Sequence, residues 1–151
     1  MALALNKKAR FDYEILKRFT AGLELIGAEV KSVRAGKANL RGSFIGVRPS
    51  TRSGQAVEAY LLNADIPPYQ PKNAPTDYDS LRERKLLLTE AEIQELRDAE
   101  NTKGLTIVPL SVYNKGRFLK LDIAIARGKK QFDKRQAIKK RDVERDLKRS
   151  L

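Results

Sequence analysis

Odd-numbered positions from Tyr13 to Leu25 carry Tyr13, Ile15, Lys17, Phe19, Ala21, Leu23 and Leu25, while the even ones include Glu14, Arg18, Thr20 and Glu24. Alternation of this length predicts a β-strand with one face toward a core. Gly22 is the expected place of a bulge or sharp bend. The next stretch, GAEVKSVRAG, changes to helical spacing with Ile26, Val30 and Val33, and Gly36 supplies the stop. Two further strands are predicted at Ser43–Arg48 and Ala56–Ala64, divided by the Arg52-Ser53-Gly54 turn.

From Ile66 to Asp79 the chain reads IPPYQPKNAPTDYD, with four prolines in fourteen residues. Proline lacks the backbone N–H, so neither a helix nor a central strand fits, and a long surface loop is expected. It has two readings: a plain crossing loop, or a loop whose Tyr69 and Tyr78 offer planar faces to bases. Thr89-Glu90-Ala91-Glu92 is a capping box, flanked by Leu88 and Ile93 as a hydrophobic staple. Ile93, Leu96 and Ala99 give that helix a buried stripe, and Gly104 ends it. Leu105–Tyr113 is apolar on both faces, as in a central strand. Phe118–Ala126 alternates, with Leu119, Leu121, Ile123 and Ile125 inward and Lys120 and Asp122 outward. Asn114-Lys115-Gly116 joins the two as a hairpin. Five or six strands with two or three short helices predict a mainly β fold, a small closed barrel of the oligonucleotide-binding type. A mixed α+β sheet is the alternative.

Charge changes the picture at the C-terminal end. Residues 127–151 hold eleven Lys or Arg against four Asp or Glu, and the other 126 residues hold twenty against fifteen. More than half of the net +12 therefore lies in the last sixth of the chain. Phe132, Ile138, Val143, Leu147 and Leu151 are the only large apolar groups from Gly128 onward. Burying each would contribute roughly 1.5–3 kcal/mol, against about 1–2 kcal/mol per residue for ordering the backbone. Ordering costs more than burial returns, so the tail is expected to be disordered when free. Asp133, Asp142, Glu144 and Asp146, interleaved at helix-compatible spacing, favour folding on a partner over a tail that only aids solubility. The expected division is a folded body, 1–127, and a basic tail, 128–151.

The composition excludes much. There is no His and no Cys, which removes Ser-His and Cys-His nucleophiles, thiolate metal sites and disulfides. No glycine-rich phosphate loop is present either, so no enzymatic activity, cofactor, metal or small-molecule substrate is expected. No apolar run approaches the ~18–20 residues of a membrane helix, and MALALNKKAR does not read as a secretory signal. A strongly basic chain points to a polyanion, and the tail lacks the apolar face that membrane binding requires. Nucleic acid is the expected partner.

Four stretches carry the residues for it: N-K-K-A-R from Asn6, G-A-E-V-K-S-V-R-A-G-K-A-N-L from Gly27, R-E-R-K-L-L-L from Arg82, and G-K-K-Q-F-D-K-R from Gly128. In the second, Lys31, Arg34 and Lys37 lie on the helix exterior, and Lys31 and Arg34 are spaced to reach neighbouring phosphates. In this order the four stretches resemble the small protein B family, the SsrA-binding proteins of bacterial trans-translation, from Asn6 to about Arg141.

The resemblance implies a cytoplasmic, non-enzymatic factor, monomeric when free, with an oligonucleotide-binding-like barrel. Such a factor binds the tRNA-like part of transfer-messenger RNA (tmRNA) and brings it to ribosomes stalled on messages without a stop codon. There it supports nascent-chain tagging and ribosome rescue. Its tail enters the empty mRNA channel beside the decoding centre of the small-subunit rRNA and becomes helical. On the matching motifs, RNA contact is expected of Asn6, Lys7, Lys8, Arg10, Lys31, Arg34, Lys37, Lys85, Leu86, Leu87 and Lys120. Which leucine of Leu86–Leu88 supports binding is left open by the motif. Decoding-centre and channel contact is expected of Gly128, Lys129, Lys130, Phe132, Asp133, Lys134 and Arg135. Phe11 and Phe132 stand where many relatives carry His, and Thr20 where an acidic residue is common. The latter change is expected to shift an acidic role to Glu24 or Glu29. A structural ribosomal or general RNA-binding protein is the alternative.

Overall fold

The computed structural model describes residues 2–49 and 57–129. Its elements are β1 (Ala2–Leu5), α1 (Lys7–Asp12), β2 (Tyr13–Leu23), α2 (Gly27–Arg34), β3 (Phe44–Pro49), β4 (Val57–Leu62), a 3-10 turn (Pro71–Asn73), β5 (Arg84–Leu87), α3 (Glu90–Glu100), β6 (Leu105–Lys115) and β7 (Phe118–Gly128). Seven antiparallel strands form one sheet in the order β1-β6-β7-β2-β5-β4-β3. The fold is mainly β, with three short α-helices.

The β6–β7 hairpin forms as its alternation requires, with Lys115 opposite Phe118 and Gly116 at φ +63° in the turn. β2 lies along β7 from Tyr13–Gly128 to Gly22–Lys120. Its register shifts between Ile15 and Lys17, so the bulge is at Leu16 and not at Gly22. The extra residue changes which face the odd positions occupy. Tyr13 and Ile15 pack against a small cluster of Ala9, Val108, Leu110, Ala124 and Ala126. Beyond the bulge, Phe19, Ala21 and Leu23 enter the main core with Ile107, Leu121 and Ile123. A matching shift in β6 falls between Pro109 and Ser111. Both faces of this part of the sheet are thereby covered, one by α1 and the other by the main core.

Gly22 has a different use. A Cβ there would come within 3.1 Å of Leu87 Cβ, so its bare backbone admits β5 alongside β2.

β1, α1 and β5 arise from segments whose strand or helix character the hydrophobic alternation leaves unmarked. α3 follows the sequence closely: Thr89 Oγ1 accepts from the Glu92 N–H at 3.2 Å, and Glu92 Oε1 accepts from the Thr89 N–H at 3.1 Å. Leu96 and Ala99 are buried beneath it. Its last residue also serves the sheet, because Glu100 Oε2 accepts from the Val47 N–H at 2.8 Å and so occupies a donor of edge strand β3. The predicted turn at 52–54 lies outside the described residues, as does the tail from Lys130 onward. The first tail residues do not: Gly128 closes β7 opposite Tyr13, and the Lys129 N–H donates to Asp12 O at 2.9 Å.

Candidate nucleic-acid interface

α2 begins with its backbone secured, the Ile26 N–H donating to Glu29 Oε1 at 3.0 Å. It ends at Ala35, with Gly36 at φ +77° where a side chain would be strained. Glu29, Ser32 and Val33 face inward, leaving Lys31 and Arg34 exposed. Lys37, just beyond the helix, donates from Nζ to Tyr69 O at 2.9 Å and lies 5.2 Å from the Tyr69 ring centroid. An Arg34 amino group donates to Arg117 O at 3.0 Å, which links the helix to the tip of the β6–β7 hairpin. Among the described residues none of these three cations meets a carboxylate. Their charge is open to an anionic partner.

What holds this basic face is buried. Glu29 and Arg84 each have fully buried side chains, and they meet at 2.6 Å. Arg82 reaches the same carboxylate at 2.6 Å, and Arg84 also donates to Ala64 O at 2.7 Å and Ser80 O at 3.0 Å. Burial pushes the Glu29 carboxyl up. Hydrogen bonds from Arg82, the Ile26 N–H and Arg84, with the Arg84 charge, outweigh it and hold the group below its usual range. Arg82 is raised in turn, chiefly by its hydrogen bond to Glu29. Glu29 is therefore a bracket joining α2 to β5 and, through Arg84, to the residues on either side of the proline-rich loop. It cannot assume an acidic contact in place of Thr20.

The carboxylate near Thr20 comes from the opposite strand. Asp122 Oδ1 accepts from Thr20 Oγ1 at 3.2 Å and from the Tyr113 hydroxyl at 3.1 Å, directly across the ladder. Lys120, half-buried, lies two residues away on the same face of β7. Leu87, Gly22, Lys120 and Tyr113 form one cross-strand row through β5, β2, β7 and β6. Sequence-distant Leu87 and Lys120 are thus brought together, with the glycine forming a dip between them.

Three expected contact residues are otherwise engaged. Leu86 is only 1% exposed and packs in the main core, whereas Leu87 is 53% exposed. Alternation along β5 decides this, leaving Leu87 on the surface and Leu86 in the core. Lys85 pairs with Glu58 at 2.8 Å and is no open cation. Asn6 is 5% exposed. Its Oδ1 accepts from the Ala9 N–H at 3.2 Å, capping α1, and its Nδ2 donates to Pro109 O at 3.0 Å and Leu40 O at 3.4 Å. Its backbone N–H takes Leu110 O at 2.8 Å. Asn6 thus occupies carbonyls released by the β6 bulge and sets α1 in place. Lys7, Lys8 and Arg10 are exposed on that helix. An asparagine ahead of a short basic segment is an N-cap signal that was present in the sequence.

Tyr78 is half-buried and donates to Ile66 O at 2.7 Å, so it serves the loop itself; burial first, then the Glu29 charge, pushes its pKa up. Tyr69 keeps 42% exposure. Lys130, Phe132, Asp133, Lys134 and Arg135 lie outside the described residues. No group of three or more metal-binding side chains occurs among the described residues, nor a helix long and apolar enough to cross a membrane.

Known proteins resemble the chain along its whole length. A family model described as SmpB protein matches residues 3–151. An SsrA-binding protein of Chloroflexus aggregans is 48% identical over 149 residues, covering 99% of this chain and 90% of that protein. One from Gloeobacter violaceus is 47% identical over 146 residues, covering 97% and 91%. A solved structure described as "tmRNA-SmpB: a journey to the center of the bacterial ribosome" is 42% identical, with a TM-score of 0.65, covering 89% of this chain and 92% of that one.

Proposed function

The chain belongs to the SmpB protein family, and on that premise we propose that it binds the tRNA-like domain of tmRNA and carries it to stalled ribosomes in the cytoplasm. The observation that carries this reading is the set of exposed cations on α2 that meet no carboxylate among the described residues, mounted on a helix that a buried Glu29–Arg84 pair holds to the sheet. Positioned charge of this kind recognises an RNA by its shape and phosphates. No chemistry is performed by the protein; it is a non-enzymatic partner of tmRNA and of the ribosome.

The sheet closes, in this reading, into a barrel of the oligonucleotide-binding type, with β3 returning beside β6. The groove that both strands line, from Phe44 to Arg48 and from Leu105 to Ile107, supports it. The cross-strand row of Leu87 and Lys120 and the basic α1 complete the RNA-facing surface. The division into a folded body and a basic tail is kept, with its boundary moved from 127 to 129 because Gly128 pairs with Tyr13 and the Lys129 N–H donates to Asp12 O. Residues from Lys130 form a segment that folds in the empty mRNA channel, with Phe132, Asp133, Lys134 and Arg135 at the decoding centre.

Sequencing the RNA that co-purifies with the protein tests the reading. One tRNA-like RNA should be enriched over ribosomal RNA. A structural ribosomal protein would instead follow all ribosomes and enrich no such species.

A further inference from the structure

Between α2 and the proline-rich loop lies a cleft of about 410 Å³, lined by Gly27, Ala28, Lys31, Tyr69, Pro75 and Tyr78 among others. Ligand clefts begin at about 300 Å³, so it has room for a group the size of a nucleobase. A second hollow, bounded by Lys31, Arg34, Ala35 and Tyr69, continues it along the helix. Lys31 and Tyr69 are common to both, so the two form one groove with an apolar floor and a basic rim. Among the described residues no acidic side chain lines either part.

The groove is built in advance. Ser32 Oγ donates to Pro67 O at 2.6 Å, Lys37 Nζ to Tyr69 O at 2.9 Å and the Tyr78 hydroxyl to Ile66 O at 2.7 Å. Three side chains thus pin a loop that four prolines already stiffen. Lys37 also sits against the Tyr69 ring, which fixes the orientation of an aromatic that remains 42% exposed. At Gly27 a Cβ would meet nothing within 4 Å, so the helix entrance is open to a flat group.

We infer that this groove takes one unstacked nucleobase of a single-stranded RNA segment, against Tyr69 and the proline walls, with flanking phosphates on Lys31 and Arg34. It rests on the RNA-binding reading above and adds the place where an unpaired base is held. Planar aromatic walls select a base face, and two cations one helical turn apart match consecutive phosphates. An acidic peptide would satisfy the cations but leave the aromatic slot without a planar occupant.

The test is amide chemical-shift titration of the full chain with a single-stranded ribonucleotide tetramer, with inorganic phosphate and an acidic peptide as controls. The tetramer should shift Gly27, Ala28, Lys31, Tyr69 and Tyr78. Tyr69→Ala should weaken tetramer binding about tenfold and leave phosphate binding unchanged. Tyr69→Phe should retain tetramer affinity, and Tyr69→Leu, apolar but without a planar face, should behave as the alanine variant. Unmoved cleft amides, an unaffected Tyr69→Ala variant, or an acidic peptide binding as tightly as the tetramer would each overturn the inference. Parallel titration with the tRNA-like RNA separates the two levels: binding there without cleft shifts defeats only the groove, while no binding there defeats the proposed function itself.

Discussion

Arg84 Nε donates to Glu29 Oε2 at 2.8 Å, and neither side chain retains any solvent exposure. A glutamate in the middle of a basic helix reads locally as a surface charge, yet here it is the anchor of that helix. Replacing Glu29 by Gln should destabilise the protein by about 3–5 kcal/mol, because it leaves two guanidinium groups facing an uncharged amide. Urea unfolding of the two proteins measures this.

The same pair predicts a pH dependence. Glu29 is held below its ordinary value of 4.5, so the unfolded chain binds the proton more tightly than the folded one. Its contribution is therefore complete above that value and is lost as pH falls through the lowered folded pKa. The stability difference between wild type and Glu29→Gln should narrow on acidification below 4.5. A difference constant with pH would show that the ion pair is not its source.

Lys31→Ala and Arg34→Ala should each weaken binding to the tRNA-like RNA and reduce the slope of log affinity against log salt by about 1. Both side chains are exposed, so the unfolding midpoint should stay in place. Binding isotherms at four salt concentrations decide it; slopes equal to wild type would remove these residues from the phosphate contacts.

Adjacent leucines should separate cleanly. Leu86→Ala removes a core side chain and should cost about 2–5 kcal/mol of stability. Leu87→Ala should change stability by less than about 0.5 kcal/mol while lowering RNA affinity. Asn6→Ala should resemble Leu86→Ala in kind, losing about 1–2 kcal/mol as the α1 cap and the bulge carbonyls go unpartnered. Thermal unfolding beside RNA titration distinguishes support from contact in all three.

Deleting 131–151 should leave RNA affinity nearly unchanged and abolish tag addition on ribosomes stalled without a stop codon. Changing Asp133, Lys134 and Arg135 together to Ala removes two basic groups and one acid, a small net loss among the tail's charges. Tagging should nevertheless fail, since docking in one register depends on particular contacts and a helix cap. Within the same motif, Phe132→Ala should cost more tagging than Phe132→His, because both Phe and His present a ring for stacking. Normal tagging by the triple variant in a purified translation system would mean that bulk charge suffices.

The alternation of β7, the capping box of α3 and the glycine stop of α2 were legible from the chain because each depends on neighbours a few residues away. So was the basic character of the α2 face, since 3.6-residue spacing alone places Lys31 and Arg34 together. Tertiary structure decided the rest. Whether Glu29 is a contact or a bracket depends on Arg82 and Arg84, more than fifty residues further on. Which leucine of R-K-L-L-L faces solvent depends on the register of β5 against β2, and a one-residue slip would exchange them. Two bulges, at Leu16 and Leu110, redirect side chains from one face to the other; Lys17 alone interrupts the alternation beside the first, because an extra residue is defined only by the strand it fails to match. Spacing along the chain determines a helix face or a strand face; only pairing across the sheet determines what that face meets.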